Sequence, residues 1–161
     1  MENECRSIYK AARFKAGITQ EVASELLHIS MKSISDYERG KTIPPDDVVC
    51  NMVTLYQAPW LAYVHLKTNN EVGKLYLPNI KIKDLSCSVL DLQYEIEGIL
   101  GRQSDIVSVG RDNRIDTSEQ IVWNECMSKV DRLAGAAFQL LFAPQTEKTP
   151  VREHRRFLEI K

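Results

Sequence analysis

Four side chains in one short segment could contact the edges of DNA bases. Lys32 can donate hydrogen bonds to guanine O6 and N7, and Asp36 can accept one from cytosine N4. Met31 can pack on a thymine methyl group, and Ser35 is a fourth candidate. We therefore predict that these four residues are base contacts.

Five neighbouring side chains could hold DNA phosphates. They are Gln20, Ser30, Ser33, Lys41 and Thr42. Gln20 also gains from its place at a predicted helix N-terminus, where backbone N–H groups and the helix dipole favour anions. The alternative for each residue is a solvated surface side chain, and for Ser30 helix capping alone is a sufficient reason.

Residues 18–44 contain the elements that would position these side chains. Thr19 can cap a first helix, whose apolar residues follow at spacings of four and three. Ser30 can cap a second helix that runs to about Arg39, and Gly40 suits a left-handed stop. Two short helices with a tight turn form a helix-turn-helix, whose second helix fits the DNA major groove. The pattern predicts sequence-specific DNA binding.

At these residues the chain resembles the lambda-repressor-like (Cro/XRE-type) family of helix-turn-helix regulators. The matching pattern is Arg13-x-x-x-Gly17-Ile18-Thr19-Gln20-Glu21, then Ile29-Ser30-x-x-Ser33-Ile34-Ser35-x-Tyr37-Glu38-x-Gly40-Lys41-x-x-Pro44. The resemblance covers about residues 4–68 and implies an all-α fold that starts with a five-helix DNA-binding domain, here residues 1–68. It also implies a structural pair, Arg13 with Glu38, which braces the first helix against the recognition helix. His28 departs from the glycine that the family has in the turn.

The charge of this first domain is balanced. Residues 1–69 hold eight Lys or Arg and eight Asp or Glu, and the whole chain has a formal charge of −1. Because phosphate contacts supply much of the affinity for DNA, the basic footprint must be local. We interpret this as a modest binder that needs dimerisation. The alternative is a protein-interaction module that keeps the helix-turn-helix fold without binding DNA.

The second half of the chain has a different pattern. Pro78 bars a continuous helix, so residues 69–83 are predicted to be an extended linker with one or two short strands at most. Apolar residues then recur at heptad spacing from Asp84, and a second apolar helix ends at Pro144. Residues 84–143 are therefore predicted to form a long antiparallel helical hairpin, with a kink near Gly98 and Gly101. Residues 144–161 are predicted to be a flexible tail.

A hairpin alone buries little apolar surface, so doubling it into a four-helix bundle is favoured. The predicted homodimer interface consists of Leu85, Val89, Leu92, Ile96, Ile99, Val130, Leu133, Ala137, Leu140 and Leu141. The alternative is a hairpin that folds back on the first domain of its own chain. The order of segments also resembles small regulators from prophage regions of Firmicutes, which implies a phage or mobile-element origin.

Other functions have little support in the sequence. The four cysteines lack CxxC spacing and the three histidines are scattered, so we predict no metal site, no cofactor and no enzyme activity. His65, without nearby ligand partners, is interpreted as a surface or interfacial residue. Isolated thiols and the absence of a long apolar stretch predict a cytoplasmic protein without a membrane partner. The expected partner is an operator in double-stranded DNA, and RNA polymerase or a phage or host protein could be another.

Overall fold

The computed structural model describes residues 7–144, and this part of the chain folds into nine helices without a strand. The helices are α1 (Ile8–Lys15), α2 (Gln20–Leu27), α3 (Met31–Glu38), α4 (Asp46–Tyr56), α5 (Trp60–Asn69), α6 (Glu71–Tyr76), α7 (Leu85–Leu100), α8 (Gln103–Gly110) and α9 (Gln120–Leu141). The prediction of an all-α fold is confirmed. The predicted tail lies outside the described residues after Pro144.

Local capping explains where the helix-turn-helix begins and ends. The Thr19 side chain accepts a hydrogen bond from the backbone N–H of Val22, and the Ser30 side chain accepts one from that of Ser33. Gly40 has a φ of 67° and is the left-handed stop that the sequence predicts. His28 has a φ of 54° at the turn between α2 and α3, a conformation that is less favourable for histidine than for glycine.

Helices α1 to α5 share one hydrophobic core. Its most deeply buried members are Ala12, Ala23, Ile34, Met52 and Leu61, one from each helix. Because every helix contributes a buried residue to this core, α3 is held in place mainly by its contacts with α1 and α2. The predicted five-helix first domain is thus present in the structure.

His65, predicted to be a surface or interfacial residue, is not on the surface but lies between helices. Its side chain is 4% exposed, with Nδ1 2.7 Å from the hydroxyl of Tyr9 and Nε2 3.1 Å from Asp46 Oδ1. Burial raises the pKa of Tyr9 to about 12. The histidine therefore joins α5 to α1 and α4, and its partners lie 56 and 19 residues away in sequence.

Residues 69–83 are not a wholly extended linker, and that prediction was wrong for the segment Glu71–Tyr76. This segment forms α6, and the Asn70 side chain caps it by accepting hydrogen bonds from Val72 N and Gly73 N. α6 packs closely on α5, since a Cβ atom at Gly73 would lie 2.1 Å from the carbonyl oxygen of Leu66. Pro78 prevents a helix only at the residues next to it, so the six residues of α6 can be helical before it.

The second half forms a hairpin in which α7 runs along α9, with α8 between them in sequence. The first arm is interrupted after Leu100, close to the predicted kink, so α7 and α8 are two helices. Side chains on α7 and α9 meet through polar contacts. Gln139 donates a hydrogen bond to Asp91 over 2.5 Å, and Arg132 pairs with Glu95 over 3.3 Å. Arg102, which lies between α7 and α8, pairs with Glu125 of α9 over 3.1 Å.

An aromatic cluster joins the end of the hairpin to the first domain. The ring of Tyr63 in α5 lies 4.9 Å from that of Phe138 and 5.6 Å from that of Phe142, centroid to centroid. The Tyr63 hydroxyl donates a hydrogen bond to the Pro78 carbonyl oxygen over 2.7 Å. Gly135 lies against the chain at Asn79, whose carbonyl oxygen would be 2.7 Å from an added Cβ atom. The residues after α6 are thus held between α5 and α9.

Candidate DNA-binding surface

One face of α3 is fixed in the core and the other is open. Ile34 is buried on the inner face, while Met31 is 51% exposed at the start of the helix. Lys32 is also exposed, and among residues 7–144 it has no hydrogen-bond or salt-bridge partner. Two of the four predicted base contacts are therefore available at the N-terminal end of α3, the end that meets base edges in helix-turn-helix proteins.

The two serines at this end serve the helix first. Ser30 Oγ accepts a hydrogen bond from the Ser33 N–H over 3.0 Å, and the two hydroxyl oxygens lie 2.8 Å apart. Ser30 stays exposed and Ser33 is half-buried, so both hydroxyl groups can still meet a phosphate at the groove edge. The structure gives Ser30 the capping role that the sequence also allows.

Arg13 and Glu38 form a buried ion pair beneath α3. Their side chains are 5% and 4% exposed, and Arg13 donates through Nε over 2.5 Å and through Nη2 over 2.8 Å. Arg13 Nη1 also donates to the Ile18 carbonyl oxygen over 2.7 Å. The hydrogen bond with Glu38 raises the pKa of Arg13 above its ordinary value. The pair joins α1, the turn before α2 and the last residue of α3.

Gln20 completes this buried network. Its Nε2 donates to Glu38 Oε2 over 2.8 Å. The side chain that the sequence predicts to hold a phosphate is therefore turned toward the protein. It acts through Glu38 on the position of α3, and the sequence offered no local sign of this contact because the two residues are 18 positions apart.

Asp36 also has partners within the protein. Its Oδ1 accepts a hydrogen bond from Arg39 Nη2 over 3.0 Å and lies 3.8 Å from Lys41 Nζ. The carboxylate is only 18% exposed, whereas the two cations are 55% and 60% exposed. Ser35 is half-buried, and its carbonyl oxygen accepts from Arg39 Nε over 3.1 Å. Arg39, at the C-terminal end of α3, is therefore held by both Ser35 and Asp36.

The apolar stripe of the hairpin is only partly covered. Five of the predicted interface residues are between 40% and 72% exposed, namely Leu85, Val89, Ile96, Val130 and Leu141. The other five are half-buried, namely Leu92, Ile99, Leu133, Ala137 and Leu140. At 3.6 residues per turn, the stripe on α7 lies about a quarter turn from the polar face that meets α9. On α9, the stripe lies about a third of a turn from Arg132 and Gln139, so on both helices it lies outside these polar contacts.

Comparison with known proteins identifies the kind of domain to which α3 belongs. Residues 10–60 match a family model described as a helix-turn-helix domain. The resemblance to Cro/XRE-type proteins is confirmed for this segment, and the chain carries a helix-turn-helix domain.

One curated relative matches a longer segment. The HTH-type transcriptional regulator ImmR of Bacillus subtilis (strain 168) is 31% identical over 86 residues, which are 53% of this chain and 65% of that protein. The chain thus spans just under two thirds of the length of this relative. No solved structure matches the chain.

Two further findings concern the described part of the chain. No helix within residues 7–144 is long and apolar enough to cross a membrane. In the same range, no three His, Cys, Asp or Glu side chains lie close enough to hold a metal ion together.

Proposed function

We propose that this protein is a transcriptional regulator that binds a specific DNA operator through α3. The observation that carries the proposal is the open N-terminal end of α3, where Met31 and Lys32 are exposed and Lys32 has no hydrogen-bond or salt-bridge partner within residues 7–144, while the opposite face is buried in the core. The match to a helix-turn-helix domain and the printed name of the relative, a transcriptional regulator, support it.

Within this proposal the residues predicted to contact DNA have different roles. In it, Met31 and Lys32 contact base edges, while Ser30, Ser33 and the exposed Thr42 contact phosphates at the flanks. Lys41 is a phosphate contact too, because its ammonium group is 60% exposed and lies just past the end of α3. Gln20 acts indirectly, through its hydrogen bond to Glu38.

We infer that the protein binds its operator as a homodimer through the apolar stripe of the hairpin. Beside the polar contacts between α7 and α9, five residues of this stripe remain exposed, three on α7 and two on α9. A second copy related by a two-fold axis would cover it and form a four-helix bundle. The same axis would relate two α3 helices, as an inverted-repeat operator requires.

The first experiment is selection of random duplex DNA by the purified full-length protein at near-physiological salt, followed by sequencing of the bound DNA. An enriched inverted repeat supports both operator binding and a two-fold dimer. A folded protein that enriches no sequence would refute operator binding.

The dimer is tested by measuring molar mass in solution with light scattering. Ile96→Lys should convert a dimer to a monomer, because it buries a charge within the proposed interface. The matched control is Leu90→Lys, since Leu90 is 65% exposed on the same helix but outside the stripe. A monomeric wild type, or equal dissociation by both variants, would contradict this interface.

A second candidate is a protein-interaction module that keeps the helix-turn-helix fold. The balanced charge of residues 1–69 favours it, as does Asp36, whose carboxylate pairs with Arg39 and lies close to Lys41. In that case the exposed stripe of the hairpin would receive RNA polymerase or a phage or host protein. The same DNA selection separates the two functions, because only the regulator enriches a sequence.

A further inference from the structure

Arg39 is held in one orientation at the C-terminal end of the recognition helix. Its Nε donates to the Ser35 carbonyl oxygen over 3.1 Å, and its Nη2 donates to Asp36 Oδ1 over 3.0 Å. Nε and Nη2 form one edge of the guanidinium group, and this edge is used within the protein. A side chain that is 55% exposed would otherwise sample many rotamers.

The other edge of the guanidinium group is free for a ligand. A guanidinium carries five N–H donors, so three remain on Nη1 and Nη2 after these two hydrogen bonds. The edge between Nη1 and Nη2 presents parallel donors that match two oxygens of a phosphate group. The Lys41 ammonium group lies 3.8 Å from the same Asp36 oxygen, so a second cation is close to the Arg39 guanidinium group.

Position along the helix favours a phosphate over a base as the ligand. Arg39 follows Met31 by eight residues, which is about 12 Å along the helix axis. If the N-terminal end of α3 enters the major groove, its C-terminal end lies toward the sugar-phosphate backbone. A guanine edge could accept hydrogen bonds from the same paired donors, but Arg39 would then have to lie near the middle of the groove.

We propose that Asp36 is a positioning residue that holds Arg39 as a phosphate clamp, and that Asp36 does not itself read a base. This inference rests on the proposed DNA-binding function and revises the predicted role of Asp36 as a partner of cytosine N4. The carboxylate fixes the guanidinium group before DNA arrives, so less rotamer freedom is lost on binding.

The test uses the full-length protein and the operator found by selection. Four variants are compared with wild type: Asp36→Ala, Asp36→Asn, Arg39→Ala, and the double variant Asp36→Ala/Arg39→Ala. Affinity is measured across a salt series, and the base preference at each operator position is measured by repeating the selection. Urea unfolding of each variant checks that the fold is intact.

Arg39→Ala should weaken binding by about tenfold or more, as the loss of a hydrogen bond to a charged group does. It should reduce the slope of log affinity against log salt by about 0.9, the value for one phosphate contact, and leave base preferences unchanged. Asp36→Ala should weaken binding several-fold, but it should cause no further loss when Arg39 is already alanine. Asp36→Asn keeps the acceptor for Arg39 and removes a negative charge, so it should bind at least as tightly as wild type.

Three outcomes would overturn the inference while leaving operator binding intact. Asp36 would be a base reader if Asp36→Ala loses the preference for one base and removes that preference to the same extent when Arg39 is already alanine. Loss of preference for one guanine in Arg39→Ala would make Arg39 a base reader. Wild-type affinity and salt slope in Arg39→Ala would show that Arg39 contacts no DNA. If the wild-type protein selects no sequence at all, the proposed function fails and this inference fails with it.

Discussion

Replacing Arg13 with methionine should destabilise the helix-turn-helix domain by about 3–5 kcal/mol, the usual cost of removing one partner from a buried ion pair. In the native protein the Glu38 carboxylate accepts two hydrogen bonds from Arg13 and one from Gln20. Arg13→Met leaves only the Gln20 amide, and the carboxylate stays 4% exposed. Water cannot replace the lost donors without opening the contact between α1 and α3.

This loss is large relative to the stability of a small domain, which is typically about 5–15 kcal/mol. At the lower end of that range, Arg13→Met would leave a substantial fraction of the domain unfolded at room temperature. The double variant Arg13→Met/Glu38→Leu should recover most of the stability, because neither member of the pair then leaves a buried charge behind. Its remaining defects are the Ile18 carbonyl oxygen, which loses its donor on Arg13, and the Gln20 amide, which is half-buried and can turn toward solvent.

The assay is urea unfolding of the full-length variants, followed by circular dichroism. Lys15→Met is the matched control, since it removes an exposed positive charge from the same helix and should change stability by less than about 0.5 kcal/mol. The reasoning is refuted if Arg13→Met costs under 1 kcal/mol, or if the double variant is as unstable as the single one.

Three further predictions follow from other parts of the structure. In thermal unfolding, Gly135→Ala should cost about 1–3 kcal/mol because its Cβ would lie 2.7 Å from a backbone carbonyl oxygen, whereas Gly98→Ala meets only a lysine ammonium group at 3.5 Å and should be neutral or stabilising. Burial raises the pKa values of Tyr9 and Tyr56 to about 12, so between about pH 10 and 12 the unfolded chain ionises first and stability falls with rising pH. Lys32→Ala should abolish discrimination between the selected operator and random DNA in binding assays without changing the unfolding midpoint.

Each of these predictions has a result that contradicts it. Equal unfolding temperatures for the two glycine variants would show that the chain beside α9 yields easily. Tyr56→Phe should lose less stability than wild type across the alkaline window, by up to about 3 kcal/mol, and an identical pH profile would remove this tyrosine as a cause. Wild-type discrimination by Lys32→Ala would remove this lysine from the base contacts.

The helix-turn-helix could be predicted from sequence because its signals are local. Ser30 and Thr19 each cap a helix through a backbone N–H three residues later, so the capping pattern is visible in a short window. The left-handed stop at Gly40 is also a property of one residue. Such features place α3 and its exposed residues before any tertiary contact is known.

The partners of polar side chains were harder to predict because they come from distant helices. Gln20 meets Glu38, and His65 meets Tyr9 and Asp46, only after helices α1 to α5 have packed. Likewise α6 depends on its close approach to α5 as well as on its own cap. Asp36 is different, since its spacing of three residues from Arg39 on one helix was a visible signal for an ion pair.

The junction between α5 and α9 bears on how two DNA-binding domains would be spaced in the proposed dimer. Tyr63 contacts Pro78, Phe138 and Phe142, so the hairpin is packed on the first domain and is not attached to it by a free linker alone. A packed junction holds the two α3 helices of a dimer at one separation, whereas a free linker would let them sample many separations.

The inverted repeats selected by wild-type protein should therefore share a single half-site spacing. Tyr63→Ala removes both the hydroxyl and the ring, so it should broaden the range of selected spacings while the half-site sequence stays the same. A broad range already present in the wild type would show that the junction does not set the spacing.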